Sequence, residues 1–348
     1  MKVLNVAMLG FGNAGRAFAR ILLDKQAALK KDYGVDVRVT AIATGRHGTA
    51  ADPAGIDLSA ALALIEAGGS FPGTESALDV ARGTDYDVLL ELTPLDIFTG
   101  QPAISHLEAA LSRGRHAITA NKGPVAWCYA RLADMAARQK VCFFCETTVM
   151  DGTPVFNLAA DTLKYCKIQK VEGILNSTTN FVLERLATGM LYDDILAEGR
   201  RHGFVEADPS LDMQGWDAAA KLAALLNVLM GAGITPMDVR RTGIEAVTAA
   251  DMNAAAARGC VIKLLCTGEM HDDGSVSAVV CPAEVPQGSI WAGITGTSSV
   301  YSLTTDLMGK LTVVEHDPEI TQTGYGIFSD LVRVIDYLYA NREPGRRP

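Results

Sequence analysis

The feature that most constrains this chain is the apolar run VLNVAMLG followed at once by FGNAG. It sets Gly10, Gly12 and Gly15 in a G-x-G-x-x-G spacing. The apolar density of residues 3–10 and the closing glycine read as a buried strand. Residues 14–31 read as a helix with Ala14, Ala17, Ile21 and Leu22 on one face. Each glycine has a physical task in such a turn. The first allows the tight turn, the second lets backbone approach a pyrophosphate, and the third lets the helix pack on the strand. Free N–H groups and the positive dipole end of the helix then face the phosphates. The spacing by itself is common. With a strand before it and a helix after it, it predicts a dinucleotide site formed by Gly10, Phe11, Gly12, Asn13, Ala14 and Gly15.

The next hundred residues repeat the alternation. Strands are expected at 36–44, 87–92, 116–119 and 140–146, with helices at 101–114 and 125–139. Strand–helix–strand order with short connections marks a parallel, doubly wound sheet. Near residue 150 the pattern changes. A strand at 171–175 precedes helices at 178–188 and 192–202, a polar loop, and a strongly apolar helix at 217–230. An alanine-rich helix at 248–258 leads to strands 261–270 and 276–281, joined around Asp272-Asp273-Gly274 as a hairpin. Strands at 299–305 and 311–315 and a helix at 325–340 complete the chain. The expected fold class is therefore α/β: a Rossmann-type doubly wound sheet plus a second, α+β domain. The apolar strands after residue 260 need a partner surface, and such sheets often pair across a two-fold axis.

Composition narrows the function. With 49% hydrophobic and 20% charged residues, the 348-residue chain can bury a sizeable core. A net charge of −9 disfavours nucleic acid or an anionic membrane surface as the main partner. No apolar stretch reaches the roughly 18 residues of a membrane span, and the N-terminus lacks the pattern of a signal peptide. Seven cysteines at irregular spacing suit a reducing compartment, so a cytoplasmic location is expected. Cys142 and Cys145 form C-x-x-C. With no second such pair to complete a zinc site, a buried strand explains them better than redox or metal chemistry.

The end of the second strand bears on the nucleotide. NAD sites usually place an acid there, whereas an arginine accommodates the NADP phosphate. Here the strand ends Ala43-Thr44-Gly45-Arg46-His47-Gly48 with no acid, and Asp36 stands at the wrong end. Thr44 and Arg46, with His47 beside them, are candidates to hold a 2′-phosphate. This favours NADP over NAD. In the second half, Glu206, Asp208, Asp212, Asp217 and Lys221 fall close together. Asp217 and Lys221 are four apart on a predicted helix and share a face. The rest of that helix is apolar, so the pair reads as a site rather than a solvated ion pair. A lysine held there can give a proton to a carbonyl or take one from a hydroxyl. Asp217 would orient it, and Glu206 and Asp212 would bind a substrate ammonium.

The chain resembles the homoserine dehydrogenase family over about residues 3–340. GFGNAG (10–15), ELTP (91–94), ANK (120–122), ETTVMDGTP (146–154), NSTTNF (176–181) and EADPSLDMQGWDAAAKLAAL (206–225) occur in that family's order. The resemblance implies NAD(P)-dependent interconversion of L-aspartate 4-semialdehyde and L-homoserine by a homodimer. It implies Lys221 as acid/base, Asp217 as its polar partner, and Lys122 beside substrate and nicotinamide. It implies Glu206, Asp212, Thr178 and the neighbouring Ser177 as substrate contacts. Thr93 and Pro94 would lie along the nicotinamide. Carbonyls of Glu146, Val149, Asp151 and Thr153 would form a site for a monovalent cation such as sodium. Thr323-Gly324-Tyr325-Gly326 would be a return turn bringing Gly324 to the cofactor.

The chain departs from the family at Ser177, where glycine is usual, at Met150-Asp151-Gly152-Thr153, and around Tyr325 and Ser329-Asp330. A side chain at 177 would narrow the pocket or add a hydrogen bond. Two alternatives stay open: a related oxidoreductase for another small amino-carboxylate carbonyl, and a non-catalytic NADP-sensing protein. The intact lysine and acids argue against the sensor. The expected domains are 1–146 with about 318–341 for the nucleotide and 147–317 for catalysis and dimerisation, with a frayed tail at 342–348. The length leaves no room for a C-terminal regulatory domain, so insensitivity to threonine is expected.

Overall fold

The computed structural model describes residues 1–202, 205 and 208–339. The expected tail at 342–348 and the last two residues of the 318–341 segment lie outside the described residues. The first half runs β1 (Lys2–Leu9), α1 (Asn13–Tyr33), β2 (Val35–Ala43), β3 (Thr49–Ala51), α2 (Leu58–Glu66), α3 (Ala77–Gly83), β4 (Val88–Glu91), α4 (Ala103–Ser112), β5 (His116–Thr119), α5 (Lys122–Gln139) and β6 (Phe143–Phe144). It continues through α6 (Phe156–Thr162), β7 (Ile168–Ile174), α7 (Ser177–Leu186), α8 (Tyr192–His202), α9 (Ser210–Met213), α10 (Trp216–Met230), β8 (Arg240–Arg241) and α11 (Ala249–Ala257). Strands β9 (Cys260–Met270), β10 (Val276–Pro286), β11 (Ser299–Thr305) and β12 (Gly309–Glu315) precede the last helix, α12 (Ile320–Tyr339).

Two six-stranded sheets carry these elements. The first has the order β3-β2-β1-β4-β5-β6 and is parallel except where β3 pairs antiparallel with β2. Both faces of β1 are buried, which is why its sequence is nearly all apolar. Leu4, Val6 and Met8 pack with Phe18, Leu22, Ile327 and Leu331. Ala7 and Leu9 pack on the other face with Val80, Ala81 and Ala110. Strand order turns back on itself between β1 and β4, so a crevice opens at the carboxyl ends of these two strands. The second sheet has the order β12-β11-β7-β9-β10-β8, antiparallel except for β8 alongside β10. Helix α10 lies on it: Ala219, Leu222 and Leu226 share a core with Val171, Leu264, Val280 and Leu303. Gly268 admits this contact, since a Cβ there would lie 2.4 Å from the Leu226 side chain.

Two expectations change. The strand at 140–146 shrinks to Phe143–Phe144, because Lys140 ends α5 in a left-handed conformation and Glu146 opens a 3-10 turn. Cys142 and Cys145 are free, buried thiols on either side of that strand. Burial pushes the Cys142 thiol up to about 11 and raises Cys145 well above the ordinary thiol value, which suits packing rather than reactivity. Residues 323–326 are not a return turn. Helix α12 already starts at Ile320, and Gly324 is buried where it crosses α1. A Cβ on Gly324 would lie 2.7 Å from the Ala17 Cβ and 2.8 Å from the Phe18 nitrogen. Its glycine serves close helix packing, and no cofactor contact is needed to explain it. The short elements β3, α2, α3 and α6 had no sequence assignment, although Ser76 and Asp79 form a capping box at the start of α3.

Gly324→Val should therefore force α12 off α1 and cost about 1–3 kcal/mol. Chemical denaturation should register that loss. A variant as stable as the parent would refute the packing role.

Candidate active site

The turn after β1 is built as a phosphate cradle. Gly10 has φ +103°, and a Cβ there would lie 2.3 Å from the Leu92 carbonyl oxygen at the end of β4. At Gly15 a Cβ would lie 2.8 Å from the Gly10 carbonyl oxygen, so this position closes the helix onto the turn. Gly12 meets nothing within 4 Å and opens onto free space at the N-terminus of α1. An unobstructed backbone at a helix N-terminus fits a pyrophosphate. Phe11 turns inward against Phe71, with ring centroids 6.2 Å apart, so only its backbone is available to a nucleotide. Asn13 accepts a hydrogen bond from Arg16 at 2.8 Å. Thr44 donates to the Gly48 carbonyl at 3.0 Å and accepts from the His47 N–H at 2.7 Å, closing the loop that leaves Arg46 exposed. Asp36 is occupied elsewhere, by Gln26, Lys30 and Arg38, each at 2.8 Å.

On the far side of the crevice, Thr93 and Pro94 follow β4. The Thr93 hydroxyl donates to the buried Glu91 carboxylate, which His106 also approaches at 3.3 Å. Asn121 caps α5 through the Gly123 N–H at 3.0 Å and donates its amide to the Thr93 carbonyl at 3.1 Å. That clasp fixes the loop after β4 and directs the first residue of α5, Lys122, toward the second sheet.

Lys122, Asp217 and Lys221 meet there. Lys122 Nζ lies 3.1 Å from Asp217 Oδ1, and Lys221 Nζ lies 3.6 Å from Asp217 Oδ2. The three side chains keep only 17–20% exposure. Asn176, the cap of α7, donates to Asp217 at 2.9 Å and to Asp212 at 2.7 Å. Lys221 also donates to the Leu175 carbonyl at 2.7 Å. Burial opposes ionisation of Asp217, but Lys122, Lys221 and Asn176 outweigh it and hold the carboxyl below the usual range. Burial also works against charge on Lys221. Asp217, backed by Asp151 and Asp212, outweighs that and holds the ammonium above the ordinary lysine value.

Lys221 opens into a cavity of about 590 Å³. Leu175, Ser177, Asp151, Gly296, Thr297 and Ser299 line it. Thr178 is buried in the first turn of α7. Glu206 lies outside the described residues. Among the expected cation-loop residues, Val149 and Asp151 line the cavity. Asp151 accepts from the Thr323 hydroxyl at 2.7 Å, and the Thr153 N–H closes a turn onto the Met150 carbonyl at 2.8 Å. The Glu146 carboxylate accepts from the N–H groups of Val155, Phe156 and Asn157 at the start of α6, so its side chain is engaged there. Sequence reasoning passed over Asn121, Asn176 and the Leu175 carbonyl. The two asparagines carried a signal, since each directly precedes a helix, where Asn is a favoured cap.

A dinucleotide cradle beside a buried lysine–carboxylate–lysine group defines an NAD(P)-dependent oxidoreductase. Comparison with known proteins gives the particular kind. Residues 154–332 match the model of the homoserine dehydrogenase family. A homoserine dehydrogenase of Methanocaldococcus jannaschii is 36% identical, with 96% of this chain and 99% of the relative covered. An NAD(+)-dependent homoserine dehydrogenase of Pseudomonas canavaninivorans is 32% identical, covering 96% and 97%. The crystal structure of a putative homoserine dehydrogenase from Archaeoglobus fulgidus superposes with a TM-score of 0.86 at 32% identity, covering 97% of this chain and all of that one. The chain belongs to the homoserine dehydrogenase family.

The open space at Gly12 yields a clean test. Gly12→Val should leave the thermal midpoint of the free protein unchanged yet weaken binding of the reduced nicotinamide dinucleotide, NADH or NADPH, on the order of tenfold or more. Calorimetric titration measures this, and unaltered binding would place the pyrophosphate elsewhere.

Proposed function

We propose that the protein interconverts L-homoserine and L-aspartate 4-semialdehyde, with Lys221 as the acid/base at the reacting oxygen. The observation that carries this reading is Lys221 itself, held between Asp217 and the Leu175 carbonyl on the cavity wall. When bound, the nicotinamide supplies or accepts the hydride. The chain's own residues do the rest. Lys221 gives a proton to the carbonyl oxygen as the aldehyde is reduced and takes it back when the hydroxyl is oxidised. Asp217 keeps the ammonium charged and pointed into the cavity, and Lys122 balances Asp217 from the nucleotide side. Asp212 and Glu206 are the carboxylates for the substrate ammonium, and Thr178 and Ser177 are further substrate contacts. Fixing the small substrate this way lowers the entropic cost of transfer.

The exposed Arg46 and the lack of a free acid at the end of β2 support NADP as the preferred cofactor, with NAD as the alternative. Within the same proposal, carbonyls of Glu146, Val149, Asp151 and Thr153 hold a monovalent cation, the enzyme is a homodimer, and its free cysteines suit the cytoplasm. Among the described residues no helix is long and apolar enough to cross a membrane.

The decisive experiment follows nicotinamide absorbance as the purified protein is given L-homoserine with NADP+ and, separately, NAD+. No turnover with either cofactor from neutral to alkaline pH would sink the proposal. Lys221→Ala should lower kcat roughly 10²–10⁴-fold while cofactor affinity holds. Equal losses in both would indicate a folding defect. Oxidation needs neutral Lys221, whose pKa is raised, so the oxidation rate should climb as pH rises into the alkaline range. Asp217→Asn removes the charge that raises it and should move that rising limb to lower pH. An unmoved limb would remove Lys221 from the role of base.

A further inference from the structure

Lys263 is a buried lysine that the chemistry above does not use. It sits in the middle of β9 and is 4% exposed. Among the described residues no carboxylate lies within ion-pair distance of its Nζ. Burying an ammonium is costly unless its hydrogen bonds are met. Here they are met by two neutral oxygens: Nζ donates to Asn180 Oδ1 at 2.7 Å and to the Ile294 carbonyl at 2.6 Å. An apolar side chain of similar length would fill the same space without the desolvation cost. The position therefore calls for a donor.

Both acceptors lead to one loop, the chain between β10 and β11. Asn180 donates its amide to the Gly296 carbonyl at 3.1 Å, and Glu184 accepts from the Gly296 N–H at 2.9 Å. Three main-chain groups of residues 294–296 are thus gripped by Lys263, Asn180 and Glu184. Gly296 is held at φ +59° and, with Thr297 and Ser299, lines the cavity into which Lys221 opens. Asn176, Asn180 and Glu184 are spaced by four and form one stripe along α7. The first orients Asp217 beneath the reacting lysine, and the other two hold the cavity wall. Lys263 ties that stripe to the sheet.

We infer that Lys263 is a positioning residue which, with Asn180 and Glu184, fixes the Ile294–Thr297 segment as a wall of the substrate cavity. Its contribution to homoserine binding rests on the function proposed above; its grip on the loop does not. Two readouts keep these apart: hydrogen exchange of peptides covering 290–299, and the split between KM and kcat. Lys263→Met should speed exchange in that segment and raise the homoserine KM roughly tenfold, with the cofactor KM unchanged and kcat altered far less. If Lys263→Met does not fold, Glu184→Ala, at a partly exposed position, should do the same through the released Gly296 N–H. Glu184→Gln, which keeps an acceptor, should restore the parent values. A folded Lys263→Met or Glu184→Ala with parental exchange in 290–299 would overturn the inference. So would losses spread evenly over kcat, both KM values and thermal stability, because they mark a general packing role. If the parent enzyme fails to turn over homoserine, the functional reading falls and hydrogen exchange alone decides the grip of Lys263.

Discussion

The Asp217 carboxylate is the point on which the rest of the structure turns. It is a nearly buried anion whose two oxygens face two lysines from different parts of the chain, Lys122 at the start of α5 and Lys221 one turn along α10. Without them, ionising it in that position would be unfavourable. With them, it stays charged and keeps Lys221 charged in return. One interaction thereby joins α5 to α10, sets the protonation of Lys221 and fixes its direction.

The surrounding fold converges on that pair. The strand order of the first sheet leaves a crevice between β1 and β4, and Asn121 locks its far lip. Asn227 of α10 donates to the Val125 and Ala126 carbonyls of α5 at 3.1 and 3.2 Å, so the helices bearing Lys122 and Lys221 are bound side by side. On the C-terminal side, Asp330 of α12 accepts from the Glu146 N–H at 2.9 Å and ties the cavity loop to the helix that packs on α1. Burial pushes that aspartate up to about 7, a sign of how completely the joint is removed from water. The cradle, the lysine group and the cavity wall are linked by helices and buried polar contacts, not by nearness in sequence.

Much of this was readable from residues alone, and the reasons are local. The turn after β1 is legible because its glycines answer to nearest neighbours: a positive φ at Gly10, open space at Gly12 and a helix contact at Gly15. Asp217 and Lys221 are legible because four residues on a helix is one turn. Asn176 and Asn121 could have been read as caps, but nothing local says that their amides reach Asp212, Asp217 and the carbonyl of Thr93. Gly324 misled for a related reason. A glycine beside Tyr325 and Gly326 resembles a turn until α1 is placed against it, and then it is a helix contact.

By itself, then, the sequence determined the periodicities, the glycine turn, the helical Asp217–Lys221 pair and the family, since each depends on residues a few positions apart or on motif order. Only the tertiary structure decided that Lys122 shares Asp217 with Lys221, that the Glu146 carboxylate is consumed by α6, and that Lys263 grips a wall of the cavity. Those contacts join residues from 9 positions apart, for Glu146 and Val155, to 83, for Lys263 and Asn180, and further still for Lys122 and Asp217. Their energies depend on burial and on which polar groups are left to satisfy one another, and no local pattern carries that information.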